Sequence, residues 1–456
     1  MAVVGALFSA ERALAQRPPI LLPPTTPGVT TVALTEETDI DDGAVGSDIG
    51  ALTRRIDELE KTFAKQSTAP AAEVPADKWA VKLGGHVQMD FVQWASSDNT
   101  AVPDQNYFEF RRLRLLADGV GYSAYDFRLQ IDIEPEGEDN VTTPVVVVKD
   151  AYFSANDLPV ADRWRIGNFF VPFSLEQVTN DTNNIFFERS IPTQGVFAAD
   201  REVGMALYGV NDEKTFTWTG GVFFDSISEA TKERIDDNQG SRLSGRLTWL
   251  PYYDECSGGK HLLHLGTGVL YTDDQDNLVR FSARPQVHEG PRLIDSGLVP
   301  ATAYTSGNVE MALVDGPFSC QSELFVSSVD RIAAPAATLT GAYVYVSYFL
   351  TGESRVYERF GQHGAQFGRN KPHCNFLRTK SACGPGAWEV KARHSHLNLG
   401  DLAAGEYNDL TVGLNWYWSD RVRIMFDWIH PTTSASTTPF GETNSDLLAT
   451  RFDVNW

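Results

Sequence analysis

Residues 79–91 read WAVKLGGHVQMDF. Trp79, Val81, Leu83, Gly85, Val87, Met89 and Phe91 alternate with Ala80, Lys82, Gly84, His86, Gln88 and Asp90. Successive side chains of an extended strand point to opposite faces, so one face of this stretch is apolar and the other polar. The pattern returns along the chain. Tyr125, Phe127, Leu129, Ile131 and Ile133 stand against Asp126, Arg128, Gln130, Asp132 and Glu134. Leu243, Gly245, Leu247 and Trp249 stand against Arg242, Ser244, Arg246 and Thr248. Val412, Leu414, Trp416 and Trp418 alternate with Thr411, Gly413, Asn415 and Tyr417. Val422, Ile424, Phe426 and Trp428 alternate with Arg421, Arg423, Met425 and Asp427. The last run sets Thr450, Phe452, Val454 and Trp456 against Arg451, Asp453 and Asn455.

The length of these runs bears on the class. A soluble β-sandwich also alternates, but its strands usually have about five or six residues. Tilted strands of about nine to eleven residues cross a bilayer, and several runs here are that long. In a transmembrane barrel the apolar set faces lipid and the polar set faces a wet lumen. Aromatic residues gather at strand ends, where the membrane interface lies. The expectation is an all-β protein: a transmembrane antiparallel β-barrel over residues 79–456, with a soluble sandwich as the competing architecture. At about 45 residues per hairpin, the chain after residue 78 holds about 16 strands, with 14 or 18 also acceptable. Sixteen strands leave an aqueous channel. Residues 273–340 alternate poorly, so their strands cannot be counted from sequence.

Composition narrows the function. The 456-residue chain carries a formal charge of -22, which argues against a nucleic-acid partner, since that needs a basic face. No apolar run is long enough for a transmembrane helix, which leaves a closed barrel as the spanning architecture. No G-x-S-x-G, P-loop or glycine-rich dinucleotide turn is present. No enzymatic activity and no cofactor are expected.

The N-terminal part divides by composition. Residues 1–15 end in Ala13-Leu14-Ala15 before Gln16 and read as the remnant of a secretory signal peptide. Residues 16–48 are Pro- and Asp-rich and read as a linker. Within residues 49–66, Ile49, Leu52, Ile56, Leu59 and Phe63 follow a 3-4-3-4 spacing, the a/d seam of a coiled coil. Two heptads are too short to hold alone, and one amphipathic helix lying on the main domain is the competing reading. Residues 67–78 form a second linker.

Several segments together resemble the phosphate-selective porin O and P family of outer-membrane proteins. They are FEFRRLRLLADG (108–119), KDAYFS (149–154), RIGNFFVPFSLE (165–176), FFERS (186–190), DREVG (200–204), YFLTGESRVYERFG (348–361), GAWEVKARHSHLNL (386–399) and GLNWYWSDRVRIMFDW (413–428). The resemblance implies a homotrimer of 16-stranded barrels in the outer membrane of a Gram-negative-type bacterium. It also implies a periplasmic N-terminal coiled coil and an arginine ladder that carries anions.

Charged rings set ion selectivity in a pore, and the arginine fork suits phosphate-class anions. Strand parity gives the candidate binding residues Arg112, Arg114, Arg163, Arg165, Arg242, Arg246, Lys391, Arg393, Arg421 and Arg423. Lys82, Arg128 and Arg451 share that parity. Asp90, Asp126, Asp132, Glu134, Asp225, Glu389, Asp427 and Asp453 are the fewer candidate lumen anions. Same-face neighbours such as Arg112 and Arg114 lie about 6.6 Å apart along a strand, close enough to hand an anion down a stack. The competing reading is that arginines and carboxylates pair and stiffen the wall.

Two loops attract attention. Residues 173–202 follow the RIGNFF strand and are the candidate inward-folded loop. They hold Arg189 and Arg201 against Glu176, Asp181, Glu188, Asp200 and Glu202, without the lysine-rich constriction that high phosphate selectivity needs. Residues 369–383 hold Arg369, Lys371, Arg378 and Lys380 with no acid. Cys374 and Cys383 flank part of this loop and are a disulfide candidate in an oxidising compartment; Cys256 with Cys320 is a weaker one. His394 and His396 share one strand face and read as wall side chains near an interface rather than as a metal pair.

The leading expectation is a porin: a water-filled channel for passive diffusion of small anions, phosphate or polyphosphate among them. One alternative is a weakly selective or cation-preferring general porin. Another is an envelope-tethering structural trimer that meets the cell wall through its N-terminal segment. A third is a soluble carbohydrate binder that uses the tryptophans.

Overall fold

The computed structural model describes residues 78–102, 106–135, 144–194, 196–224, 240–273, 277–376 and 384–456. All of them fall in the unit Val74–Trp456. The readings made for residues 1–77 lie outside the described residues, as do Asp225, Arg378, Lys380 and Cys383.

Sixteen strands close into an antiparallel barrel. They are β1 (Trp79–Ser97), β2 (Tyr107–Gly121), β3 (Tyr125–Pro135), β4 (Pro144–Asn156), β5 (Arg163–Phe170), β6 (Arg201–Val210), β7 (Phe216–Phe223) and β8 (Ser241–Tyr253). They continue as β9 (His261–Asp273), β10 (Val299–Asp315), β11 (Phe318–Arg331), β12 (Ala337–Phe349), β13 (Ala387–Asn398), β14 (Glu406–Tyr417), β15 (Val422–Thr433) and β16 (Thr443–Asn455). Each pairs with its neighbour in sequence, and β16 returns to β1, with Gln88 opposite Asp453. Closure leaves no strand edge, as a lipid surroundings demands.

The alternation has the sense of a membrane barrel. Phe91 is 60% exposed while its neighbour Asp90 is 0% exposed. Val309 is 59% exposed between buried Asn308 and Glu310. Bulky apolar groups thus cover the outer wall and charged groups point inward. A sandwich would bury the apolar faces between its sheets.

The poorly alternating stretch also forms regular strands, β10 and β11. Its outer set is diluted by Thr305, Gly307 and Ser322, and its inner set includes Ala312 and Phe325. Those inner groups meet protein rather than water: Phe325 stacks on Phe197 at 5.8 Å and meets Phe173 at 6.2 Å.

Short turns gather at one end of the barrel, among them Tyr122–Ala124 and Gly316–Pro317. Most long connections lie at the other end. Residues 350–386 break that rule: they leave β12 at the turn end, and His363, Gly364, Ala365, Gln366 and Phe367 are buried. Residues 171–200, between β5 and β6, also fold inward and carry the short helix α1 (Leu175–Val178). From the β9–β10 connection, Gln286 and Val287 reach the interior at 0% exposure. The apolar core therefore sits inside the barrel, between these segments and inward-facing residues of most of its strands.

Cys256 and Cys320 are both free, so the pairing between them is not formed. Cys320 sits on the outward parity of β11, whereas Cys256 lies in the β8–β9 turn. Cys374 is an exposed free thiol, and its candidate partner lies outside the described residues.

Candidate functional site

Two β-bulges shape the inner wall. The β1–β2 register shifts between Gln88 and Met89, which face Arg112 and Phe110. Arg111 is the extra residue, so Arg111 and Arg112 both turn inward although they are adjacent in sequence. The β3–β4 register shifts in the same way between Gln130 and Ile131, which face Asp150 and Val148, with Lys149 as the extra residue. A bulge re-aims side chains in this manner. Neither Arg111 nor Lys149 is among the lumen candidates read from the sequence. The available signal was a doubled polar residue, RR at 111–112 and KD at 149–150, inside an alternating run.

The inward loop faces this wall. A cavity of about 280 Å³ lies between them, lined by Arg111, Arg112, Arg114, Lys149, Arg189 and Arg201 together with Asp181, Glu188 and Asp200. Its lining thus has six basic groups against three carboxylates. A second cavity, of about 340 Å³, lies further along β2 toward the turn end. Lys82, Arg128, Arg369, Lys371 and Arg421 line it with Asp118 and Asp420. Asp181 lines the first cavity; Asn180 and Thr182, its loop neighbours, line the second.

Ion pairs hold the loop against the wall. Arg114 meets Asp132 at 2.5 Å and also meets Asp181. Arg112 meets Asp181 at 2.9 Å and Glu188 at 3.5 Å. Glu188 also takes Arg111 and Arg451, both at 2.8 Å. Burial alone would raise the pKa of Asp181, but Arg114 and Arg112 beside it hold it well below the carboxylate range. Burial acts the same way on Glu188, and Arg111, Arg112 and Arg451 outweigh it. Arg189 is different: it donates to the carbonyls of Glu176, Gln177 and Thr179 at 3.0–3.1 Å.

The family described as Phosphate-selective porin O and P matches residues 81–456. The chain belongs to that family. Porin O of Pseudomonas aeruginosa is 24% identical over 421 residues, covering 82% of this chain and 88% of that protein. An anion-selective porin from Comamonas acidovorans superposes with a TM-score of 0.52 at 12% identity, covering 83% of this chain and 100% of that one. The in-vitro folded OmpT of Vibrio cholerae, described as a trimer form, superposes with a TM-score of 0.51 at 9% identity, covering 83% and 100%. At such identities the two structures establish the fold alone. This is an outer-membrane porin, and such proteins are channels.

The other candidate residues of the porin have distinct surroundings. Arg246 binds Glu310 through two nitrogens at 2.9 and 2.8 Å, and His264 joins them at 3.1 Å. Lys391 meets Asp427 at 2.7 Å. Arg393 meets Glu176 at 3.1 Å and the Glu188 carbonyl at 2.9 Å. Arg423 meets Asp453 at 2.9 Å, and Arg242 pairs with Glu202. Arg163 donates to the carbonyls of Gly361 and Gln362, and Arg165 lies 3.9 Å over the Tyr152 ring. These seven line neither of these two cavities and instead brace the wall and the inward segments. Arg421 belongs to the turn before β15 rather than to a strand, with its side chain 44% exposed at the second cavity. Arg112 and Arg114 line the first. His394 and His396 sit on the outward parity of β13.

Proposed function

We propose that this porin passes small anions of the phosphate class through the space between the inward loop and the β1–β4 wall. The observation that carries the reading is the basic excess of that space, six against three in the first cavity. Such an excess favours anions in a confined pore. The second cavity continues it toward the turn end, so the two lie in sequence for a permeating ion. Arg112, Arg114 and Arg421 are the candidate residues that line this route. The remaining candidates support it by fixing the loops. The anion selectivity of the Comamonas porin and the name of the family agree with this assignment.

Short turns face the periplasm in outer-membrane barrels, so we place the turn end there, together with the N-terminal segment. A homotrimer is the assembly we propose, in keeping with the OmpT trimer form. Cell-wall contact through residues before the barrel is part of the same proposal.

The three carboxylates on the loop favour weak over strict selectivity, so the preference for anions should be moderate. Purified protein in a planar bilayer under a salt gradient tests this. The expected reversal potential lies on the anion side of zero, and phosphate should reduce the chloride current. A reversal potential on the cation side would overturn the assignment.

A further inference from the structure

At the loop end of the first cavity, β2 meets the β9–β10 connection. There, Glu109, His288 and Glu289 each bring a potential ligand atom within 4.8 Å of the others. We propose that these three residues form a divalent-cation site, best suited to zinc, which ties the inward connection to the barrel wall.

The geometry has the dimensions of a metal site. His288 Nδ1 is 2.9 Å from Glu109 Oε2 and 3.5 Å from Glu289 Oε1. Tetrahedral bonds of about 2.0 Å put neighbouring ligand atoms about 3.3 Å apart, between those two separations. Small movements of side chains would therefore admit the ion. A second observation points to a ligand. The Glu109 side chain is only 10% exposed, and its other oxygen, Oε1, is buried without a hydrogen-bond partner. A buried carboxylate oxygen left unsatisfied is costly, and a cation coordinated by that group would offset the cost.

The charge and the support also fit. Two carboxylates and a neutral imidazole balance a dication. One nitrogen and two oxygens suit zinc, with lumen water as the fourth ligand. Tyr107 holds the backbone of Glu289 from β2: its hydroxyl donates to the Glu289 carbonyl at 3.1 Å and accepts the Glu289 N–H at 3.2 Å. Glu289 is thus positioned beside Glu109 by a clamp that does not itself bind the ion, the kind of outer-shell support metal sites use.

Calorimetric titration of untagged, detergent-solubilised protein with zinc chloride tests the site. His288→Ala and Glu109→Gln should each remove one zinc equivalent or weaken it at least tenfold. Tyr107→Phe should weaken it about tenfold while leaving the barrel folded by gel mobility. Cobalt(II) in place of zinc should give a tetrahedral visible band that His288→Ala abolishes. Wild-type protein that binds no zinc, or zinc binding unchanged in both ligand variants, would overturn the proposal. The titration does not depend on ion conduction, so a failed selectivity measurement and a failed metal site are separable.

Discussion

The carboxylate of Glu323, on the inner face of β11, accepts the backbone N–H of Glu176 at 2.9 Å. It also takes Ser174 Oγ at 3.1 Å, Leu175 N at 3.3 Å, Asn308 Nδ2 at 2.8 Å and the Tyr343 hydroxyl at 2.6 Å. Five donors converge on one buried carboxylate, and the three from residues 174–176 fasten the first turn of the inward loop to the wall. Glu323→Gln keeps one acceptor oxygen and aims an NH₂ group at the other donors. Each lost charge-assisted bond costs about 1.5–3 kcal/mol. We expect the loop to loosen, so that single-channel currents become larger and noisier while the barrel stays closed. Recordings indistinguishable from wild type would show that the loop is held elsewhere.

The bulge residues make a separate case. Arg111 and Lys149 add basic groups to the first cavity without disturbing the lipid face. Arg111→Gln and Lys149→Gln should each lower the anion-to-cation permeability ratio, and the double variant should lower it further. Arg246→Gln should behave differently. It lies outside both cavities and strands Glu310, so its main effect should be a stability loss of about 3–5 kcal/mol. Selectivity from reversal potentials and stability from denaturant unfolding separate the two classes.

Acid should act late on the loop. Arg114 and Arg112 depress the pKa of Asp181, and Arg111, Arg112 and Arg451 depress that of Glu188. A depressed carboxylate contributes stability that is fully present above its unfolded value, about 4. That contribution is lost only as pH falls through the lower folded value. Single-channel conductance attributable to loop position should therefore hold steady from pH 7 to about pH 4.5. Loop release, seen as a step to higher conductance, belongs to more acid solution. A step between pH 7 and pH 5 would contradict these ion pairs.

Much of the fold was legible because one physical rule governs the outer wall. Lipid demands an apolar side chain at every second position, and the runs at 79–91, 125–134 and 411–428 obey it directly. The rule weakened at β10 and β11, where inner residues such as Phe325 pack on protein. Parity also identified Arg112 and Arg114 as lining groups. It could not distinguish a residue that lines water from one that braces a loop, because Arg246, Lys391 and Arg393 owe their roles to partners far away in sequence. A bulge shifts the phase by one residue, so Arg111 and Lys149 escaped a strict alternation. The inward course of residues 357–370 had no local sequence signal, since an excursion into the lumen is fixed by what it meets there.

The membrane assignment itself can be tested by depth. Val309 is 59% exposed near the middle of β10, and Val81 is 54% exposed near the start of β1 at the turn end. Both lie on the outward face, so accessibility alone predicts equal tolerance of a charge. Lipid makes them unequal. Arginine on the lipid face of a barrel costs about 2–4 kcal/mol at the bilayer midplane and about 0–1 kcal/mol near the interface. Val309→Arg should therefore destabilise the porin by the larger amount and Val81→Arg by the smaller. Urea titration of protein folded into lipid vesicles, extrapolated to zero denaturant, measures both. Equal and small losses at the two positions would mean that water, not acyl chains, surrounds the outer wall.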